Sequence, residues 1–254
     1  MHGVARLKPL TRALTMNDSS QIALSAQIAL LRRSDIIANN VANLSTNGYK
    51  GEHLVFAEYL NSTQDGGVGS YVDPVGTVRD LSQGPISQTG NPLDVAIEGN
   101  GFLAVQTPQG TRYTRDGHFQ LDAQGEIVTV QGYPVLSSSG APIVISNGTG
   151  PITIGQDGTV ATGDSSAGQL QIATFQNGQA LLPAGNNLFD SNEAPGTPTS
   201  TSLVQGALEG SNVQAIIEMT RLIDTERAVS YAKDMSTSES NRINNALDHL
   251  GKVS

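Results

Sequence analysis

Few side chains in this sequence have the type and spacing that chemistry requires, and each group that does also has a plainer reading. Gly99-Asn-Gly101-Phe102 has the opening of a dinucleotide-binding loop, but Ala104 stands where the third glycine of that fingerprint belongs. No β-α-β pattern surrounds it and no helical pattern follows the glycines, so the expected role is a tight turn that places Phe102 in the core. Tyr113-Thr-Arg-Asp-Gly117 reads as a hairpin with Arg115 and Asp116 near its tip rather than as a catalytic pair. His2, His53, His118 and His249 share no ligand spacing, and no acids gather around them. No Gly-x-Ser-x-Gly nucleophile signature occurs, and the absence of cysteine removes disulfides and thiolate metal sites. The sequence therefore assigns no catalytic residue, no cofactor and no metal. Asn39, Asn40 and Asn43 put three amides within five positions of a helix end, where they are poor helix-interior residues. Taken alone, they read as local C-capping and solvation.

The elements that hold these residues fall into three parts. Residues 20–45 and 211–250 read as long helices, and the region between them reads as glycine-punctuated β structure. Asp18-Ser-Ser-Gln21 has the spacing of a helix start. From there Ala23, Leu30, Ile37 and Leu44 recur every seven residues, joined by Ala26 and Val41, until Asn47-Gly48 supplies a left-handed stop. Such a helix is about 36 Å long. Tyr49–Leu60 is a strand or a short extension, and the Gly/Ser/Asp-rich residues 61–76 read as a linker.

From Thr77 to about residue 205, short apolar or alternating segments are broken by turn dipeptides at Gly99–Gly101, Asp116-Gly117, Asn147-Gly148, Asp157-Gly158 and Asn177-Gly178. Strands with no helical stretch between them predict an antiparallel middle domain. Asn192–Ser202 is a loop, and residues 206–254 form the C-terminal helix and its entry. Ser211 or Asn212 caps it, with Leu208 and Val213 stapling the approach. Ala215, Leu222, Val229, Ser236, Ile243 and Leu250 again keep a period of seven, joined by Met219, Ala232, Ala246 and Leu247. Glu218–Arg221, Asp224–Arg227 and Glu239–Arg242 have the spacing of solvent-facing ion pairs. The fold class expected is α+β, mainly β, with long terminal helices that pair in a coiled-coil-like manner.

Bulk composition narrows the function classes. A net charge of −9 over 254 residues argues against nucleic acid, because phosphate binding needs clustered cations. Aromatics are only 4 %, with no Trp, so the core is expected to be thin. No apolar run exceeds four residues, which excludes a membrane-spanning helix from the expectation. Residues 1–19 read as a flexible extension without a signal-peptide h-region.

Particular stretches carry a family resemblance. Ala38-Asn-Asn-Val-Ala-Asn-Leu-Ser-Thr-Asn-Gly-Tyr-Lys50 resembles the N-terminal signature of bacterial flagellar rod and hook proteins. Asp94–Phe102, Tyr113–Phe119 and Ile152–Gly158 are similar to stretches of that family's middle domain, and Gly206-Ala-Leu-Glu-Gly-Ser-Asn-Val213 to its C-terminal motif. The matches keep the family's order over about residues 20–250. Length and the wording of the last motif favour a proximal-rod member over a distal-rod one. Residues 1–15 precede Met16, where family members usually begin, and Arg227-Ala-Val-Ser-Tyr231 departs from a pattern that sets an aromatic closer to the Arg.

The resemblance implies a structural subunit of the basal-body rod that is not an enzyme. Its ends would order only against other rod proteins and copies of itself, and it would leave the cell through the flagellar type III export apparatus without signal cleavage. It shifts the reading of Asn39, Asn40 and Asn43 toward inter-helix contacts. It makes Leu30, Ile37, Val41, Leu44, Thr46, Gly48, Leu208, Ser211, Asn212, Val213, Met219, Leu222, Val229, Ile243 and Leu250 subunit-packing candidates as well. Lys50 is expected to be a surface charge. The alternative from another class is a secreted β-rich adhesin or phage-tail-like binding module whose helices trimerise.

Overall fold

The computed structural model describes residues 11–62, 68–145, 150–163, 165–198 and 201–251. It is α+β and mostly β, with two long helices and antiparallel strand pairs throughout. Helix α1 runs Thr11–Ala42, followed by β1 (Glu52–Ser62), β2 (Val68–Arg79), β3 (Ile86–Gln88), β4 (Val95–Glu98), β5 (Phe102–Thr107) and β6 (Gly110–Thr114). Then come β7 (Phe119–Leu121), β8 (Ile127–Thr129), β9 (Ile152–Ile154), β10 (Thr159–Thr162), β11 (Ser165–Gln169) and β12 (Ile172–Ala173). The chain closes with β13 (Leu182–Pro183), β14 (Leu188–Asp190), β15 (Ser202–Gln205), β16 (Ala207–Glu209) and helix α2 (Ala215–Gly251).

The described chain falls into two compact units. One holds Asn40–Glu52 with Arg79–Ala215; the other holds the two long helices and most of β1 and β2. In the β unit, β5 is the organising strand because both of its faces are buried. Leu103 and Val105 point into one apolar cluster with Val95, Ile97, Ile127 and Val135. Phe102 and Ala104, one residue out of phase, point into a second with Tyr113, Leu136 and Phe189. A strand has a side-chain period of two, so an uninterrupted apolar run serves two cores at once. The second cluster concentrates the aromatics: Phe102 meets Phe189 edge-on at 5.6 Å, and Tyr113 meets Phe175 at 4.8 Å.

Strand pairing ties distant parts of the sequence together. The chain returns after residue 201 so that β15 lies against β4 (Leu203 opposite Ile97) and β16 against β3 (Leu208 opposite Ser87). The C-terminal motif thus contains a short strand, β16, before it is a helix entry, and α2 starts only at Ala215, after the Ser211–Gln214 capping pattern.

Other expectations need correcting. Helix α1 begins at Thr11, because Asp18-Ser19-Ser20 is carried in its interior instead of opening it. The 61–76 segment is largely strand: β2 pairs with β1, and Tyr71, Val72 and Val75 are strand formers that outweigh the intervening glycines. Asp157-Gly158 does turn a hairpin, between β9 and β10. Gly99–Gly101 and Asp116-Gly117 instead connect strands that do not pair with each other, and β5 and β6 turn at Pro108-Gln109. The reason at Gly117 is close approach, since a Cβ there would overlap the Val95 carbonyl. Asn177 caps a single 3₁₀ turn, Gly178–Ala180, rather than turning a hairpin. Asn147-Gly148 lies outside the described residues.

Truncating Leu103 to Ala, at the centre of the larger core, is expected to cost about 2–5 kcal/mol. Leu182→Ala, which is largely exposed on β13, should stay within about 0.5 kcal/mol. Urea denaturation of the two variants checks the contrast.

Candidate functional site

The β unit is closed by a charge cluster assembled from three remote segments. Glu209 closes β16 and sits on the same inward face as Ala207, and its carboxylate is completely enclosed. One oxygen, Oε1, accepts from Lys50 Nζ at 2.7 Å and from the Gly84 amide at 2.9 Å; Oε2 accepts from Arg115 Nε at 2.9 Å. The partners are nearly as enclosed, with side chains 1 % exposed for Lys50 and 3 % for Arg115. Lys50 also donates to the Ser82 carbonyl at 2.6 Å. Arg115 Nη1 donates to the carbonyls of Gly99 (2.9 Å) and Gly101 (2.6 Å). Burial pushes the Lys50 ammonium below its ordinary pKa range, and the contact with Glu209 pulls it partly back.

These contacts overturn two expectations. Lys50 is a buried ion-pair partner rather than a surface charge, and Arg115 lies at the heart of the unit rather than at a hairpin tip. The backbone around them is shaped to let them meet. Gly48 has φ of +66°, and a Cβ there would sit 2.6 Å from the Arg115 carbonyl oxygen and 2.7 Å from the Asp116 nitrogen. Its amide donates to the Glu209 carbonyl at 2.7 Å. A Cβ on Gly84 would overlap the Gly210 carbonyl.

Amides complete the closure. Asn40 is fully buried, and its side chain reads both backbone groups of Glu52, donating to the carbonyl at 2.8 Å and accepting from the amide at 3.0 Å. Tyr49 Oη donates to the same Asn40 oxygen at 3.2 Å. The Asn40 amide is thus spent inside the chain. Asn212 does not cap α2. Its oxygen accepts from the Gly51 amide at 2.8 Å, and its nitrogen donates to the Asp80 carbonyl at 2.8 Å. Ser211 Oγ accepts locally, from the Val213 amide at 3.2 Å. The methyl of Val213 lies where a side chain on Gly51 would go. Thr46 is bonded to Asn43 through side chains at 3.0 Å, and Asn39 is exposed.

The remaining candidates lie along the helices. On α1, Ile37 is buried and Leu30 half-buried on one face, with Val41 and Leu44 half-buried further on. On α2, Leu222, Val229 and Ile243 are half-buried on a face that also buries Thr225 and Glu218. Glu218 therefore does not face solvent, although it keeps its pair with Arg221 at 2.6 Å. Among the described residues, Asp224 and Arg227 form no ion pair. Met219 is exposed, and the side chain of Leu250 lies outside the described residues. The heptad reading, which sets Met219 in the same stripe as Leu222, does not separate out a second apolar face. Leu24, Ile28 and Leu31 on α1, and Ile216, Met219, Ile223 and Tyr231 on α2, are exposed opposite the buried stripes. Among the described residues, no group of three or more His, Asp or Glu could hold a metal, and no helix is long and apolar enough to cross a membrane.

Three family models match the chain. They are described as the flagella basal body rod protein (residues 21–50), the flagellar hook protein FlgE/F/G D1 domain (96–162) and the flagellar basal body rod FlgEFG protein C-terminal region (204–240). Lys50, Arg115 and Glu209 come one from each. The chain is 36 % identical over 244 residues to the flagellar basal-body rod protein FlgF of Caulobacter vibrioides, covering 94 % of this chain and 100 % of the relative. It is 36 % identical over 242 residues to FlgF of Mesorhizobium japonicum, with the same coverage. It is 37 % identical over 236 residues to the rod protein FlgG of Buchnera aphidicola, covering 81 % of this chain and 89 % of the relative.

Glu209→Gln keeps the shape and removes the charge that two buried cations share, at an expected cost of about 3–5 kcal/mol. Lys50→Met leaves the Glu209–Arg115 pair in place and should cost less than half of that. Gly48→Ala, strained in φ and in collision with the backbone, is expected to cost at least about 2 kcal/mol. Urea midpoints of the three variants test the ranking.

Proposed function

Since the chain belongs to the flagellar basal-body rod protein family and is a structural subunit of that rod, we propose that it polymerises through its two long helices and so transmits motor torque toward the hook. The observation that carries this reading is the second apolar face on each helix. The β unit buries its own core, whereas Leu24, Ile28 and Leu31, and Ile216, Met219, Ile223 and Tyr231, stay exposed along both helices. An exposed apolar stripe of this length is stabilised only by a neighbour, and a helical array uses contacts that repeat without closing. The helices pair in coiled-coil fashion with each other and with those of adjoining subunits, which are copies of this chain and other rod proteins. The candidates Leu30, Ile37, Val41, Leu44, Met219, Leu222, Val229, Ile243 and Leu250 supply that packing. Asn40, Gly48 and Asn212 instead spend their polar groups on backbone within the β unit.

The axial position is FlgF-like, in the proximal rod. The FlgF relatives are matched over their whole length, whereas FlgG of Buchnera is matched over 89 % of its own. Export proceeds through the flagellar type III apparatus without signal cleavage, in keeping with a chain that has no cysteine to crosslink in transit.

Deleting the gene should abolish flagella and swimming. Complementation with Ile223→Glu, which places a charge on the exposed face of α2, should fail to restore either. The purified variant should melt within about 0.5 kcal/mol of the parent, since a solvent-exposed site contributes little to folding. Swimming restored in full by this variant would sink the reading.

A further inference from the structure

Above the Glu209 cluster lies a cavity of about 280 Å³, bordered by Lys50, Arg115, Asn100, Phe102 and Phe175 among others. Its floor has more cation than anion, since Lys50 and Arg115 share the one carboxylate of Glu209. Asp80 also acts on Lys50, but it is exposed and therefore screened by solvent. Donor capacity is left over as well. Two of the three Lys50 protons go to Glu209 and the Ser82 carbonyl. Arg115 spends Nε on Glu209 and Nη1 on two carbonyls, and its Nη2 forms no hydrogen bond among the described residues. That nitrogen is not sealed in protein, because Thr162 Oγ1 is the one wholly enclosed side-chain polar atom without a partner among the described residues. Arg115 borders the cavity, and Nη2 is the guanidinium nitrogen that keeps a small opening on a side chain 3 % exposed. Beside it stand Phe102 and Phe175, with ring centroids 6.0 Å apart, and the exposed Asn100 lies at the mouth.

A guanidinium with free N–H groups, a second cation and an aromatic wall define a ligand: a carboxylate carried on a compact apolar body. We propose that this cavity is a carboxylate-binding site. The group enters with its oxygens toward Arg115 Nη2, adds an anion beside two cations that share one carboxylate, and lays its apolar part against Phe102 and Phe175. Its source is either a free small organic carboxylate or an acidic side chain of a second copy. The site lies wholly in the β unit, so its test does not depend on rod assembly.

Phenylacetate titrated into the full chain, followed by NMR, should give saturable one-to-one shifts at Phe102, Phe175 and Asn100. Benzyl alcohol, of similar shape without charge, should bind at least about tenfold more weakly. Asn100→Asp, which sets a negative charge at the mouth, should weaken phenylacetate by about tenfold, and Asn100→Lys should tighten it. Asn100 is exposed, so both variants should keep the parent's circular dichroism and melting. Equal binding of the acid and the alcohol would overturn the proposal, as would no saturable shift at millimolar phenylacetate in a folded chain. Sedimentation separates the two sources. Self-association suppressed by phenylacetate and by Asn100→Asp identifies the side chain of a second copy; phenylacetate binding with self-association unchanged identifies the free carboxylate.

Discussion

A single enclosed carboxylate governs how this β unit closes. Glu209 satisfies the Lys50 ammonium, the Arg115 guanidinium and the Gly84 amide at once, and its own carbonyl takes the Gly48 amide. Charges taken out of water are costly unless paired, so the cluster favours the arrangement of three segments that brings both cations to the one carboxylate. The surrounding glycines follow from it. Gly48 and Gly84 have no side chain because protein backbone occupies the place where a Cβ would stand. Such a cluster is a device of specificity more than of net stability. The stabilising free energy comes from the apolar clusters on either side of β5, as burial of apolar area predicts.

What was legible in the sequence was what is local. The heptad stripes gave both helices, because a period near 3.6 needs only a dozen residues to declare itself. Asp157-Gly158 marked a true hairpin for the same reason. The α1 start was misread because Asp18-Ser-Ser-Gln21 has the wording of a cap in either setting, and only the preceding turns of helix decide between them. Gly99–Gly101 turns the chain so that Phe102 enters the core, as its wording suggests, but its carbonyls also receive Arg115, and Asp116-Gly117 serves close approach to Val95 where its wording suggests a hairpin. Lys50 and Arg115 looked solvent-facing because a charge is read as exposed unless its partner is known, and Lys50 meets Glu209 across 159 positions. One signal was available: Glu209 shares strand parity with Ala207, which points it inward with no solvent to meet it.

The two units have opposite surface economies. In the β unit, most large apolar side chains gather into two cores, with Leu121, Val130 and Leu182 exposed singly, and polar groups such as Asn40 and Asn212 are spent on backbone within the chain. The helices divide their apolar residues between a covered and an uncovered face. This second face escapes a heptad reading because Ile216, Ile223 and Tyr231 fall out of phase with Leu222 and Val229. A helix with two apolar faces suits an element with neighbours on both sides.

The pairing of β15 with β4 and of β16 with β3 has a consequence for vectorial synthesis. A nascent chain that has emerged only as far as residue 200 has β3 and β4 with bare edges and two cations with no counter-ion. The strands around β5 and nearly all of both apolar clusters are already present in it. Contacts of such sequence separation form late, so the charge cluster and the β3 and β4 edges close only when the last fifth of the chain arrives.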